Sequence, residues 1–347
     1  MNPTTVPLLE VVRQEPFNAE SPSGALQHSL TPSANVYVRT NFGVPELSGP
    51  HAIQVHGAVQ REMAVSLDTL RDMPHHTVTA TMECAGNDRL GMRPLPVGEP
   101  WSHGALSTVL WTGVSLVDVL ELVGVLPSAV EVLLTAADAG PRDDAEGTVR
   151  FARSLPLADA QRRDTLLALE MNGAPLTPAH GAPVRLAVPG WYGMASVKWV
   201  THVELLRAPY EGYFQRQRYV YDEPDGITPV NRMRVKSIIT SPAAGARVDH
   251  KVLVIGWAWS GFGAIRRVEV CVDGGDEWQP AVLGEPDSAH AWTPWSVNVE
   301  VVRNGRIVLR SRATDASGVT QPDAIVWNKL GYGNNGIRHV VVEVDSR

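Results

Sequence analysis

The block "HGAPVRLAVPGWYGMASVKW", residues 180–199, sets His180, Arg185, Ser196 and Lys198 among glycines and prolines. Glycine lets a backbone approach a ligand closely, and two cations with a hydroxyl suit a phosphate or another anion. Taken singly, Arg185 and Lys198 read equally well as solvated strand ends. Arg39, in "NVYVRTNFGVP", stands on an otherwise apolar stretch that reads as a strand, where a guanidinium needs an anionic partner or an open face. "GEPWSHGALSTVLWTGVSL" places Trp101 and His103 before a glycine, as a pocket wall would. In "TVTATMECAGNDRL", residues 77–90, Cys84 falls where a β-branched, alternating strand gives way to small and turn-forming residues. A thiol there is held by a rigid element and can face a cleft; the plainer reading is a small buried hydrophobe. Together these residues describe an electropositive, aromatic-lined site in which cations would stabilise a thiolate, the form a soft or high-valent metal takes as ligand.

The elements that must position them form two textures. From about residue 31 to 208 the pattern is mixed: "AIQVHGAV" and "VRLAVPG" alternate as strands, and "SLVDVLELVGV" puts Leu116, Val119, Leu120 and Val123 on one helical face. That is an α+β domain. Residues 1–30, rich in Pro, Ser and Glu, read as an arm over its surface, and 209–234 as a loop that covers a site or links domains. After residue 235 short alternating strands follow one another with Pro, Gly, Asp and Asn in their turns, which predicts an immunoglobulin-like sandwich without an inter-sheet cysteine pair. Trp257 and Trp259 alternate there with small residues, and Cys271 sits mid-strand as core filling. The expected division is an arm over 1–30, a catalytic domain over 31–230 and a sandwich over 231–347.

Composition narrows the function. The chain has 347 residues, enough for two cores, and a formal charge of −7 with no basic run, which argues against nucleic acid as partner. It lacks the run of about twenty apolar residues that a membrane helix needs, and its start has no apolar core after basic residues. Two distant cysteines favour a reducing compartment, so a cytoplasmic protein is expected, or a periplasmic one if a leader has been removed. "GYGNNG" at 331–336 fits the dinucleotide pattern G-x-G-x-x-G but precedes a strand-like segment instead of a helix. The pair His75 and His76 has no zinc-ligand spacing, no G-x-S-x-G occurs, and no C-x-x-C-H marks a haem in this chain.

"TMECAGNDR", "GALSTVLWTGVSLVDVLELVG", "LEMNGAPLTPAHGAPVRLAVPGWYGMASVKWV", "WAWSGFGAIRRVEVCVDGGDEW" and the closing "WN" segment resemble, in the same order, the sulfite oxidase family of molybdenum enzymes. The resemblance runs over most of residues 13–345. It implies a molybdopterin-binding α+β domain followed by an immunoglobulin-like domain that makes a homodimer. It also implies that Cys84 is the thiolate ligand to molybdenum, and that His180, Arg185, Ser196, Lys198 and Asp138 contact the pterin and its phosphate. Arg39 and Tyr219 match the arginine and tyrosine of the family's substrate pocket, and Trp101 its tryptophan.

Two departures bear on substrate. Where the family has "VRNH", this chain has Thr40 and Asn41 in place of a pterin-contacting Asn-His pair, and where sulfite-oxidising members have "WNLRG" it has "WNKLG", with Leu330 at the anion-binding arginine's place. Lys329, if in a strand, points to the opposite face. The resemblance implies oxidation of sulfite to sulfate, with electrons passed to an external acceptor such as a cytochrome. Reduction of nitrate or of an S- or N-oxide is the alternative that Leu330 raises, and a metal-free binding protein is a further one.

Overall fold

The computed structural model describes residues 8–223, 226–273, 275 and 277–344. Its first part holds two five-stranded sheets. In one, His75–Glu83 pairs antiparallel with Leu106–Ser115, which pairs with Leu166–Met171, which pairs in turn with Arg185–Ala187. In the other, Met63–Ser66, Ala52–Gly57, Val200–Leu206, Glu131–Arg142 and Ala145–Pro156 lie side by side in that order, with one parallel contact, between Ala52–Gly57 and Val200–Leu206. Helix Leu116–Val123 buries the four residues its spacing puts on one face and stops at Gly124, whose φ of 70° leaves the helical region. Their apolar faces close a large aliphatic and aromatic core, and a second cluster around Val78, Val109, Trp111 and Leu166 packs beside Cys84.

The second part is a sandwich of a four-stranded sheet (Lys236–Ser241, Lys251–Trp259, Thr293–Glu300, Val282–Leu283) and a five-stranded one built around Gly305–Asp315. Alternation places Val254, Val268, Trp295, Leu309 and Val342 between the sheets. Cys271 is buried in strand Ile265–Val272, as core filling requires. Trp257 and Trp259 are not part of that sandwich core: both belong to the core of the first part. Their indoles donate to the Leu26 carbonyl (2.7 Å) and to the Glu83 carboxylate (3.1 Å).

Four local expectations change. Arg39 is on an extended segment with one isolated bridge, Ala19↔Val38, and not on a regular strand. The N-terminal segment does not simply lie over the surface: Asn18, Ala19, Glu20, Ser21, Ala25 and Leu26 are buried, because their backbone bonds to 38 and 104 and the tryptophans of the second part close over them. Residues 209–234 contain the helical turn Tyr213–Arg216 and the hairpin Val220–Glu223/Gly226–Pro229. Lys329 and Leu330 lie in a turn, so the alternation argument for Lys329 does not apply; its side chain is exposed.

Candidate active site

Strand His75–Glu83 ends because Cys84 leaves the ladder. Its N–H still donates to Ala105 (2.8 Å), while its carbonyl accepts from Asn87 and turns the chain. The side chain of Asn87 braces that turn, accepting from the Ala105 N–H and donating to Glu83. The thiol is thereby fixed at the junction of two concavities. The inner one is walled by Arg39, Thr40, Asn41, Cys84, Asp138, His180, Arg185, Ser196, Lys198 and Tyr219. The outer cleft shares Arg39, Asn41, Cys84 and Tyr219 with it and adds Trp101, Arg89, Arg142, Arg218 and Tyr332. The sequence-predicted residues therefore converge, with Trp101 fully buried on the outer side only, except His103, which lines neither concavity and bonds Ser23 Oγ at 3.0 Å instead.

The inner cavity is built for an anion. Arg185 is 5% exposed and donates only to neutral acceptors, among them the carbonyls of His180 (3.0 Å) and Ser196 (3.1 Å), with its guanidinium 4.7 Å from the Trp111 ring. Burial lowers its pKa to about 10. Lys198 donates to the Ala179 carbonyl and sits 4.1 Å over Trp199; burial first, then Arg185, hold its pKa well below the ordinary lysine value. His180 is lowered to about 4 by burial and by the same two cations. Its Nε2 faces the Val36 carbonyl at 3.2 Å and so carries the proton, which leaves Nδ1 to accept from Thr177. Asp138 is raised to about 6 by burial, and among the described residues its buried Oδ1 has no hydrogen-bond partner. Ser196 Oγ accepts from the Val188 N–H, and the Thr40 hydroxyl donates to Phe17.

Gly193 keeps the wall thin, since a Cβ there would lie 2.5 Å from the Tyr37 hydroxyl. Trp199 and Tyr219 both hold φ of 52°, an uncommon conformation for side-chain-bearing residues that is kept only where the surroundings enforce it. For Tyr219 the enforcing contact is a stack on Tyr332 with centroids 5.2 Å apart. Burial, the largest influence, pushes the Cys84 thiol up, while Arg39, the Gly86 N–H and Arg89 pull it down.

Several side chains escaped sequence reasoning. Arg89 donates twice to the Leu330 carbonyl (3.2 and 2.9 Å) and once to Glu99 (2.6 Å). A Cβ at Gly86 would fall 2.4 Å from its guanidinium, so the glycine after Cys84 makes its room. The only signal was its place five residues past Cys84. Arg142, Arg218 and Tyr332 reach the cleft from distant loops and gave none.

The donor set tells which group fits. Among the described residues no cluster of three or more His, Cys, Asp or Glu side chains could hold a metal alone. One thiol beside a cavity with a phosphate-like cation pair suits a metal that brings its own organic ligand, and the unpartnered Asp138 oxygen awaits a donor from such a ligand. The fold and site thus define a molybdopterin-dependent oxidoreductase. Residues 41–214 match the model of the oxidoreductase molybdopterin binding domain, and 228–345 that of the Mo-co oxidoreductase dimerisation domain. The mitochondrial sulfite oxidase of Mus musculus is 36% identical over 99% of this chain and 67% of its own length. Nitrate reductase [NADH] 2 of Phaseolus vulgaris is 30% identical over 94% of this chain and 41% of its length. The sulfane dehydrogenase SoxCD of Paracoccus pantotrophus superposes with a TM-score of 0.83 at 30% identity, covering 96% of this chain and 88% of that one. The chain belongs to the sulfite oxidase family of molybdenum enzymes.

Proposed function

We propose that this protein oxidises sulfite to sulfate, with Cys84 as the thiolate ligand to molybdenum. The observation that carries the reading is the junction at Cys84: one thiol borders both a cation-lined cavity and an arginine-lined cleft. When bound, the molybdenum cofactor supplies two-electron oxygen-atom transfer. The chain's own residues do the rest. Arg185, Lys198 and His180 would take the pterin phosphate, with Ser196, Thr40 and Asn41 nearby and Asp138 accepting from the pterin ring. Arg39 and Arg89 would hold the anionic substrate by charge-assisted hydrogen bonds, in place of a cation from the 329–330 turn. Tyr219, within hydrogen-bond reach of Asn41 (3.3 Å), points a hydroxyl at the same space, and Trp101 closes it. A buried cleft strengthens each of these contacts relative to water.

Electrons would leave to an external acceptor such as a cytochrome. The division at about residue 230 belongs to the same reading, with 231–347 joining two copies into a homodimer. Among the described residues no helix is long and apolar enough to cross a membrane. The test is metal analysis of protein made in a host that synthesises molybdopterin, followed by addition of sulfite. Near one molybdenum per chain, with bleaching of the visible spectrum by sulfite, is the expected result. Turnover of nitrate without any response to sulfite overturns the direction of the chemistry, and a metal-free protein overturns the role of Cys84.

A further inference from the structure

The outer cleft contains more positive charge than its own carboxylates balance. Of its arginines, Arg13 pairs with Glu99 at 2.8 Å and Arg218 with Asp144 at 2.6 Å. Among the described residues Arg39, Arg89 and Arg142 form no ion pair, although Asp144 is near enough to feel Arg142 and Glu99 near enough to act on Arg39, and Asp143, exposed on the turn beside Arg142, has no cation partner. Arg142 is the unusual member. It ends strand Glu131–Arg142, and its guanidinium lies 5.0 Å from the Phe42 ring centroid and 5.5 Å from that of Phe214. Its one hydrogen bond among the described residues goes to a neutral acceptor, Asn41 Oδ1, at 2.7 Å. Arg39 donates to the same oxygen at 2.7 Å. The buried Nε of Arg142 has no partner among the described residues. The strand is held to this depth because Gly140 packs on Phe42, where a Cβ would fall 2.5 Å from the ring.

A half-buried guanidinium set against the edge-to-face pair Phe42 and Phe214, with a neutral acceptor and an unused donor, is costly unless an anion completes it. We propose that Arg142 is a third anion-binding side chain of the cleft, and that it makes the site prefer divalent over monovalent oxyanions. Two guanidinium groups suffice for a single negative charge. A third, tied to Arg39 through the shared Asn41 oxygen, adds attraction that a dianion uses most fully. The inference rests on the oxyanion chemistry proposed above, but it can be read without turnover.

The experiment is titration of the purified holoenzyme with sulfate and, separately, nitrate, by calorimetry, in wild type, Arg142→Gln and Arg142→Lys, with sulfite kinetics alongside. Glutamine keeps a donor for Asn41 and removes the charge. Sulfate affinity should fall roughly 10- to 100-fold in Arg142→Gln, the size of a lost charge-assisted contact, and nitrate affinity by clearly less. Arg142→Lys should recover part of the sulfate loss. KM for sulfite should rise with sulfate's dissociation constant while kcat stays within about twofold. Equal sulfate affinity in wild type and Arg142→Gln, or equal losses for both anions, overturns the proposal. A weakened sulfate site in a protein that never oxidises sulfite would uphold it and overturn the assigned reaction instead.

Discussion

Lys236 offers the sharpest test of how the second part supports the thiol. Its ammonium is 1% exposed and donates to Glu83 (2.8 Å), Asp88 (2.7 Å) and the Asn334 carbonyl (3.0 Å). Burial opposes the charge, yet Asp88 and Glu83 outweigh it and raise the lysine pKa, while Asp88 itself is lowered despite burial, by Lys236 and then Arg338. Stability from the lysine is therefore present below its unfolded value of 10.5 and lost as pH rises through the folded one. Stability from Asp88 is present above 3.8 and lost as pH falls through its lowered value, so at pH 7 both contribute in full. Lys236→Met leaves two buried carboxylates with only Asn87, Trp259 and a 3.5 Å contact from Arg338 to hold them. Breaking one side of such a pair costs about 3–5 kcal/mol, which for a core of this size lowers Tm by roughly 6–20 °C. Thermal unfolding at pH 7 and again near pH 4.5 reads both the size and the cause. The gap to wild type should narrow at the lower pH, where protonation relieves Asp88 of its unpaired charge in the variant. A Tm within about 2 °C of wild type at pH 7, or a gap that does not change with pH, refutes the reasoning.

Three other outcomes follow from the same geometry. His180, lowered from 6.5 to about 4, costs the cofactor-free protein about 2 kcal/mol at pH 5, because the unfolded chain takes up the proton first. His180→Gln should remove that share of the acid destabilisation in a urea titration, and an unchanged acid limb would count against it. Cys84→Ser should fold with an unaltered circular dichroism spectrum but retain little molybdenum by mass spectrometry; full metal content would show that the thiol is not the ligand. Leu253 and Ile255 lie exposed on one face of strand Lys251–Trp259, so Ile255→Glu should convert the proposed dimer to monomer in sedimentation. A dimer at micromolar concentration despite the change would place the interface elsewhere.

What could be read in the sequence was whatever depends on neighbours along the chain. The alternation of "TVTATM" and the small residues after Cys84 define a strand end without knowledge of its partner. Leu116, Val119, Leu120 and Val123 define a buried helical face in the same way, and the cations of 180–199 fall in one block because one stretch of chain wraps one end of the cavity. Segments whose structure depends on distant partners were misread. The first thirty residues have no periodicity, so nothing local shows that the Trp257 indole donates to the Leu26 carbonyl or that of Trp292 to the Ser29 carbonyl. Trp257 and Trp259 have the alternation of a sandwich strand, but the face they present meets the first core.

The arginines show the same limit on the side of chemistry, and they explain why Leu330 is tolerable. A cation lost from the 329–330 turn need not be replaced nearby in sequence, because the cleft is lined from seven separate stretches of chain. Arg89 arrives from the turn after Cys84, and it uses the Leu330 carbonyl as its anchor, so the turn that lacks the arginine still positions one. Arg142 arrives from a hairpin that precedes the block 180–199 and meets Arg39 at a single amide oxygen, Asn41 Oδ1. That oxygen stands where the family pattern has a histidine, a side chain that cannot accept from two guanidinium groups at one atom. On the role proposed for Arg142, the two departures, Asn41 and Leu330, are coupled: an amide at 41 gathers Arg39 and Arg142, and that pair would supply the charge that the apolar residue at 330 does not.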